Sequence, residues 1–294
     1  MKRITLLLLL TVFTVSGASA QFGDWGPQSK VETKTFHSTV LDADRDYNIF
    51  IPKSYGTDIN RKYPVLYLLH GMMDTHSGWN GRGHVKDVMD QLTASGEAAE
   101  MIIVTPDAGG NVYEGAWNGY FDMPGWKYET FFFTEFLPYI ESEYRIIGDK
   151  QHRAVAGLSM GGGGATAYGQ KHSDLFSSVY AMSALMNIPE QGAAPSQRPD
   201  DKMAILNKSV KENNCIKYVA DADEATKEKL RTIAWFVDCG DDDFLLERNI
   251  EFIQAMRQAQ IPCQFRVRDG GHTWEYWHSA LYTCLTFITR IFEK

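Results

Sequence analysis

A serine set between glycines is the first feature of this sequence that suggests chemistry. Ser159 stands at the centre of Gly-Leu-Ser-Met-Gly, and three more glycines follow the motif. An apolar run at residues 154–156 leads into it, and a helical pattern leaves it. Such a strand-to-helix turn projects the hydroxyl above a sheet, and the amino terminus of the helix directs N–H groups at the same point. The pattern predicts that Ser159 is a nucleophile.

A serine hydroxyl is a weak nucleophile at neutral pH and needs a base that an acid orients. His272 lies in a glycine-rich turn after the last predicted strand, where such a base belongs. The acid is expected after the preceding strand, in the run Asp241, Asp242 and Asp243, whereas Asp238 should still lie within that strand. The residues alone leave the choice among the three aspartates open.

Two backbone amides are expected to stabilise the oxyanion that forms when a serine attacks a carbonyl group. Met160, directly after the nucleophile, supplies one of them. The His70-Gly71 step after an earlier predicted strand is typical of the loop that supplies the second, which assigns it to Met72. His70 itself is interpreted as structural or as a pocket wall. The side chains of Met72 and Met73 are expected to line the acyl site.

Aromatic side chains are concentrated near these positions and could stack on a sugar ring or a phenolic acid. The candidates for substrate binding are Trp117, Trp274 and Trp277. Further aromatic residues occur in the same two stretches of chain, namely Tyr113, Tyr120, Trp126 and Tyr276. About half of the whole group is expected to pack the core instead.

The sequence predicts neither a metal ion nor a cofactor. The acidic run 241–243 with Glu247 lacks the alternate spacing and the turn glycine of a calcium loop, and residues 42–46 fail similarly. A formal net charge of −8 argues against nucleic acid or an anionic membrane as a partner. Four cysteines are too widely spaced for a zinc site and leave disulfides and buried thiols equally open, namely Cys215, Cys239, Cys263 and Cys284.

The apolar runs predict an α/β fold with a mostly parallel central sheet. These runs predict buried strands, and they alternate with amphipathic segments long enough to form helices. This order is typical of a parallel sheet flanked by helices. A turn at residues 42–44 within residues 31–52 predicts an amino-terminal antiparallel hairpin. The expected strands are residues 65–69, 101–104, 154–156, 179–182, 234–237 and 265–267, and the expected helices are residues 131–143, 165–172, 224–231 and 249–258.

Residues 1–20 have the three parts of a signal peptide. Lys2 and Arg3 form a basic start, residues 4–15 are an apolar run, and a small-residue cleavage pattern ends at Ala20. Cleavage is expected before Gln21, which would make the mature chain secreted or periplasmic.

The remaining residues, 21–294, are expected to form a single catalytic domain, because no linker or internal repeat divides them. The interval 187–232 is long and polar and lies between two predicted strands. It is interpreted as an insertion over the carboxyl edge of the sheet, either a lid or a substrate loop.

The spacing of these motifs resembles the esterase D-like branch of the α/β-hydrolases, from about Thr33 to Phe292. The segments that carry the resemblance are Leu69-His70-Gly71, Gly157-Leu158-Ser159-Met160-Gly161-Gly162, Cys239-Gly240-Asp241-Asp242-Asp243 and Gly271-His272. The resemblance implies an α/β-hydrolase fold and a Ser159, His272 and acid triad. It also favours Asp243 as the acid, at the end of a Cys-Gly-x-x-Asp pattern, with Asp242 as the alternative. Trp79 and Trp277 look like family positions, the former structural.

That branch includes the feruloyl and acetyl xylan esterases of carbohydrate esterase family one. The protein is therefore expected to be a secreted serine esterase. The aromatic residues near the site favour feruloyl esters of plant polysaccharide as substrates, and acetylated xylan is the next candidate. The predicted signal peptide argues against the cytoplasmic S-formylglutathione hydrolases of the same branch. A non-catalytic carbohydrate-binding protein and a serine peptidase of the same fold remain as alternatives.

Overall fold

The computed structural model describes residues 28–188 and 200–294, so the predicted signal peptide lies outside it. The strands are β1 (Lys30–Ser38), β2 (Ala43–Ile51), β3 (Val65–Leu69), β4 (Ile102–Pro106), β5 (Asp122–Met123), β6 (Trp126–Lys127), β7 (Arg153–Leu158), β8 (Ser178–Met182), β9 (Ala234–Gly240) and β10 (Cys263–Arg268). The helices are α1 (Gly78–Gly81), α2 (Val85–Ser95), α3 (Tyr128–Phe131), α4 (Leu137–Glu143), α5 (Met160–Lys171), α6 (Lys202–Glu212), α7 (Cys215–Ala220), α8 (Glu224–Arg231), α9 (Leu246–Gln258) and α10 (Trp274–Phe292). A π-helical turn at Phe132–Phe136 joins α3 to α4.

Eight of the described strands form one sheet, in the order β1-β2-β4-β3-β7-β8-β9-β10. The pairs β1–β2 and β2–β4 are antiparallel, and the other neighbours in this sheet are parallel. Strands β5 and β6 form a small separate ribbon. The mostly parallel central sheet and the amino-terminal antiparallel hairpin predicted from the sequence are therefore confirmed.

Side chains of the sheet alternate between two apolar layers. On β3, Val65, Tyr67 and Leu69 belong to the layer that contains α5 and α9, whereas Leu66 and Leu68 belong to the layer beneath α2 and α10. All five side chains are fully buried. Because both faces of the sheet are covered by helices, the strand is a continuous apolar run in the sequence.

Helix α5 begins at Met160, earlier than the start at residue 165 predicted from its amphipathic pattern. Four glycines form its first turn, although glycine is a poor helix former. A Cβ atom on Gly161 would lie 2.5 Å from the carbonyl oxygen of His70, and one on Gly164 would lie 2.9 Å from the ring of Tyr120. The glycines let the helix approach its neighbours closely, and this packing outweighs the low helix propensity.

The described part of the predicted insertion, residues 187–232, contains α6, α7 and α8. Residues 189–199 lie outside the described ranges. Helix α7 packs on α5, where the side chain of Gln170 donates to the carbonyl oxygen of Cys215 at 2.9 Å. The backbone N–H of Cys215 donates to the carbonyl oxygen of Met186 at 3.0 Å. The helices of the insertion thus lie against the helical layer of α5, and a lid or substrate-loop role stays a prediction.

A buried carboxylate joins three strands to the last helix. Asp238 on β9 is fully buried, and its oxygens accept hydrogen bonds from the hydroxyls of Tyr180 on β8 at 2.7 Å and Tyr276 on α10 at 2.6 Å. Arg266 on β10 forms an ion pair with it. Asp238 therefore lies within its strand, as the sequence predicted.

Two further features concern the cysteines and the membrane. All four cysteines are free thiols, and three of them, Cys215, Cys239 and Cys284, are buried. Among residues 28–188 and 200–294, no helix combines the length and apolar character that crossing a bilayer requires.

The first turn of α5 generates a prediction about stability. In Gly163→Ala the new Cβ atom would overlap the carbonyl oxygen of Leu185, a backbone atom that cannot rotate away. We expect the free energy of unfolding to fall by about 2–3 kcal/mol, as measured by urea denaturation. Gly56→Ala is the matched control, because nothing lies within 4 Å of a Cβ atom at Gly56. Equal unfolding midpoints for Gly163→Ala and the wild type would contradict this close packing.

Candidate active site

Ser159 lies in a sharp turn between β7 and α5. Its backbone has φ 53° and ψ −118°, a conformation that is uncommon for a residue with a side chain. Its N–H donates to the carbonyl oxygen of Met182 at 2.9 Å, and its carbonyl oxygen accepts from the N–H groups of Gly163 at 3.0 Å and Leu185 at 2.9 Å. These bonds hold the strained backbone in place, so that the hydroxyl projects from the carboxyl edge of the sheet.

A chain of hydrogen bonds connects Ser159, His272 and Asp243. The Oγ atom of Ser159 lies 2.9 Å from Nε2 of His272. On the other side of the ring, Nδ1 lies 2.9 Å from Oδ2 and 3.1 Å from Oδ1 of Asp243. Because a carboxylate can only accept, Nδ1 carries the proton and Nε2 is free to accept the serine proton. The three residues are thus connected as a nucleophile, a base and an acid would be.

The surroundings of Asp243 favour its charged form. Its side chain is fully buried, and burial opposes ionisation. Hydrogen bonds from His272 and from the N–H of Leu245 at 2.8 Å outweigh this effect and lower the pKa of Asp243 below its ordinary value. A charged carboxylate can hold the imidazole in one orientation and stabilise its protonated form.

The other two candidate acids do not contact His272. Asp241 and Asp242 are exposed, and Oδ1 of Asp241 accepts a hydrogen bond from the N–H of Gly270 at 3.0 Å. With Asp269 they form a group whose carboxylate oxygens lie within 4.8 Å of one another. All three are open to solvent, where acidic groups commonly cluster without an ion.

The two amides predicted for an oxyanion site follow two neighbouring strands of the sheet, Met160 after β7 and Met72 after β3. Met160 is the first residue of α5, so its N–H points out of the positive end of the helix dipole. Met72 follows Gly71, where a Cβ atom would lie 3.6 Å from Cβ of Ser159. Within residues 28–188 and 200–294, neither amide donates to a protein acceptor. Both are therefore able to bind an oxygen atom of a ligand.

His70 fixes the loop that carries Met72. It is fully buried, its Nε2 accepts the N–H of Ala108 at 2.9 Å, and its Nδ1 donates to the carbonyl oxygen of Gly71 at 2.8 Å. The hydroxyl of Tyr120 donates to its backbone oxygen at 2.9 Å. These contacts indicate a structural role for the imidazole.

A cavity of about 460 Å³ opens beside Ser159. Its walls are largely apolar and include three of the four predicted substrate-binding residues, Met73, Trp274 and Trp277. The cavity is lined by Gly71, Met72, Met73, Asp74, Arg82, Leu158, Ser159, Phe244, His272, Trp274 and Trp277.

The structure does not bring Trp117 to this cavity. Its indole stacks on Trp126 at 6.4 Å between ring centroids, and Nζ of Lys202 lies 4.7 Å from its ring. Trp277 is 6% exposed, and its N–H donates to Oγ of Ser183 at 3.0 Å. Most of its surface therefore packs against the protein, and only a small part faces the cavity.

Three cavity residues, Phe244, Arg82 and Asp74, were missed by sequence reasoning. Phe244 is 75% exposed, and its ring centroid lies 4.5 Å from that of His272. Its position directly after the aspartate run was the available signal. The guanidinium of Arg82 lies 4.7 Å from the ring of Trp274 and pairs with Asp74 at 2.6 Å. No sequence pattern connects Arg82 to Trp274, because their contact is made only by the fold.

Trp79 has the structural position that the sequence suggested for it. It is fully buried, and its indole N–H donates to the carbonyl oxygen of Leu69 at 3.0 Å. Its ring also meets that of Trp274 edge to face, with centroids 5.4 Å apart. Trp79 therefore supports one wall of the cavity from beneath.

Comparison with known proteins identifies the family and the fold. A family described as putative esterase matches residues 38–288. A solved ferulic acid esterase is 70% identical with a TM-score of 0.87, and the match covers 90% of this chain and 99% of that one. An S-formylglutathione hydrolase of Staphylococcus aureus shares the fold with a TM-score of 0.72 at 20% identity, covering 89% of this chain and 99% of that one. The α/β-hydrolase fold predicted from the sequence is confirmed.

Among curated proteins, an endo-1,4-beta-xylanase/feruloyl esterase of Xylanibacter ruminicola is 25% identical over 255 residues. The match covers 85% of this chain but only 30% of that protein. The chain thus spans less than a third of the length of this relative.

Because the imidazole of His70 is buried, we expect the free energy of unfolding of the protein to depend on pH. Burial lowers its pKa, although the hydrogen bond to Gly71 and the carboxylates of Asp107 and Asp74 oppose this effect. In the unfolded chain the imidazole binds a proton below about pH 6.5, whereas in the folded protein it stays neutral to a lower pH. The free energy of unfolding therefore falls as the pH drops below about 6.5. The contribution of His70 approaches about 1.4 kcal/mol per pH unit and disappears in His70→Gln. Denaturation at several pH values measures this slope, and the exposed His37→Gln serves as a control that retains it. An undiminished slope in His70→Gln would contradict the assignment.

Proposed function

The chain belongs to the putative esterase family, a class of carboxylic ester hydrolases, and on this premise we propose that it is a secreted feruloyl esterase. Its substrates in this proposal are hydroxycinnamoyl esters of plant cell-wall polysaccharide. The observation that carries the proposal is the continuous hydrogen-bond chain Ser159, His272, Asp243, of which Ser159 and His272 line a largely apolar cavity. A non-catalytic carbohydrate-binding protein would have no use for this chain of hydrogen bonds.

In the proposed reaction Oγ of Ser159 attacks the ester carbonyl carbon while Nε2 of His272 takes the hydroxyl proton. The carbonyl oxygen becomes an oxyanion, which the N–H groups of Met72 and Met160 stabilise. His272 then passes its proton to the departing alcohol, and an acyl-serine remains. Water attacks the acyl-serine with His272 again as base, and Asp243 stabilises the imidazolium in both halves.

The cavity walls support an aromatic acyl group. Phe244, Trp274 and Met73 offer two aromatic rings and a thioether, which pack well against the flat ring of a hydroxycinnamate. The similarity to a solved ferulic acid esterase and to a xylanase/feruloyl esterase supports the same acyl group and a xylan-type alcohol.

Secretion fits a substrate that lies outside the cell. Its basis is the signal-peptide pattern of residues 1–20, with cleavage before Gln21. Mass measurement of the amino terminus of the exported chain tests this part of the proposal separately.

Substitution of the three connected residues tests the reaction. With methyl ferulate as substrate, we expect Ser159→Ala to lower kcat/KM by at least about 10⁴-fold, and Asp243→Ala by about 10³-fold or more. Asp242→Ala is the matched control for the acid and should stay within about two-fold, since it does not contact His272. A fluorophosphonate should label the wild type and fail to label Ser159→Ala. Undiminished hydrolysis by Ser159→Ala would refute the proposed mechanism, and equal losses in the two aspartate variants would refute the assignment of the acid.

Phe244→Ala tests the acyl specificity. Loss of the ring should remove about 1.4 kcal/mol of apolar contact with a feruloyl group and lower kcat/KM for methyl ferulate by about ten-fold. Release of acetate from acetylated xylan should change by less than about two-fold, because an acetyl group is too small to reach the ring. Tyr113→Ala is the control, since Tyr113 is equally exposed but does not line the cavity. If the wild type prefers acetylated xylan to methyl ferulate, the feruloyl assignment is wrong and an acetyl xylan esterase is indicated.

A further inference from the structure

Arg82 lies on the wall of the active-site cavity, and the proposed reaction gives it no role. Of the described residues that line the cavity, it alone carries a permanent positive charge. Ser159 and His272 take part in the reaction, and Asp74 is the ionic partner of Arg82 at 2.6 Å. The side chain of Arg82 is 56% exposed, so a ligand in the cavity can contact it. Arg82 thus adds hydrogen-bond donors to a largely apolar wall.

The backbone around Arg82 is held by two helices. The N–H of Arg82 donates to the carbonyl oxygen of Gly78 in α1 at 2.9 Å, and the N–H of Gly83 donates to the same oxygen at 3.1 Å. On the other side, Nδ1 of His278 in α10 donates to the carbonyl oxygen of Gly83 at 2.9 Å. A Cβ atom on Gly83 would lie 3.1 Å from the ring of Trp274. The chain therefore passes close to this ring, and Arg82 is fixed beside it.

The guanidinium of Arg82 is held by a charge and by a ring. One of its nitrogens pairs with Oδ1 of the buried Asp74, and its central carbon lies 4.7 Å from the centroid of the Trp274 ring. Trp274 in turn meets the rings of Trp79 and Trp277 edge to face, at 5.4 Å and 5.3 Å between centroids. A donor that is anchored in this way loses little freedom when it binds a ligand.

The charge balance of this wall indicates which group it can recognise. Asp74 balances the charge of Arg82, so a carboxylate on a ligand would have to compete with Asp74 for the guanidinium. An uncharged oxygen needs only an N–H group that the ion pair leaves over. Because an arginine side chain donates and never accepts, a hydroxyl oxygen and an ether oxygen are both suitable acceptors. The wall therefore fits an uncharged oxygen atom on an apolar group.

We propose that Arg82 is a specificity-determining residue, which donates a hydrogen bond to the oxygen substituent on the ring of a hydroxycinnamoyl group. The inference rests on the proposed function, in which Trp274 and Met73 pack against that ring. Arg82 lies against the same indole, at the part of the wall where the ring substituents are bound. An unsubstituted cinnamoyl group has no such oxygen. The guanidinium thus distinguishes two acyl groups that have the same apolar frame.

The test compares the wild type and Arg82→Met on three methyl esters. Methyl cinnamate has no ring oxygen, methyl para-coumarate has a hydroxyl, and methyl para-methoxycinnamate has a methyl ether. We expect Arg82→Met to lower kcat/KM about ten-fold for the two oxygenated esters, the fold-change of a lost hydrogen bond from a charged group, and less than about two-fold for methyl cinnamate. The ring oxygen changes the reactivity of the ester equally for both proteins, so the ratio of variant to wild type reports the contact.

Arg45→Met is the matched control for the loss of a guanidinium. Arg45 also lies over an indole, that of Trp126 at 5.4 Å, but it does not line the cavity. This variant should leave kcat/KM unchanged for all three esters. Arg82→Met deprives the buried Asp74 of its ionic partner, and an unpaired buried charge is destabilising. The double variant Asp74→Asn with Arg82→Met removes both charges, and it should show the same pattern of losses even if the single variant fails to fold.

The pattern of losses across the three esters decides the proposal. An equal loss for all three esters, or no loss for any, overturns it, because Arg82 would then at most support Trp274. A loss confined to methyl para-coumarate also overturns it, since the ring hydroxyl would then be recognised as a donor, which a methyl ether cannot be. Failure of the proposed function is recognised separately, because the wild type would then hydrolyse none of the three esters or Ser159→Ala would hydrolyse them equally well.

Discussion

A charge buried out of reach of water, the carboxylate of Asp238, organises the side of the sheet that carries the acid and the histidine. Removing a carboxylate from water is costly unless hydrogen bonds and an opposite charge replace the solvent. The replacements come from three other elements, through Tyr180 on β8, Arg266 on β10 and Tyr276 on α10. The acid follows β9 and the histidine precedes α10, so the contacts that satisfy Asp238 also fix the distance between these two loops.

The fold and the nucleophile could be predicted because local patterns encode them. Continuous apolar runs identified strands that are covered on both faces, and the turn glycines identified Ser159 between a strand and a helix. His272 followed from its place after the last strand. The acid could not be chosen from the residues alone, since Asp241, Asp242 and Asp243 differ only in the direction that the turn after β9 gives each side chain. The resemblance favoured Asp243, and the fold brings that residue to the imidazole.

The sequence could not show which side chains are buried or which residues distant in the chain contact one another. Trp117, Trp274 and Trp277 are the same residue type near the same motifs, yet one stacks on Trp126 away from the cavity and one donates a hydrogen bond to a serine in the turn after β8. Ser183 gave no signal, because its hydrogen-bond partners come from β9 and the last helix. The early start of α5 was missed for a related reason, since its glycines are helical only against the strand ends that they touch.

Phe244 and Met73 stand in water at the mouth of the cavity, 75% and 50% exposed. An empty site therefore keeps hydrated apolar surface that a well-packed protein would normally cover. An apolar group that enters the cavity displaces water from both side chains. Its binding is therefore accompanied by a negative heat-capacity change. The attraction between the protein and such a group then strengthens on warming from low temperature, as apolar contacts do. The affinity of the cavity for an apolar group thus depends on temperature through the water at Phe244 and Met73.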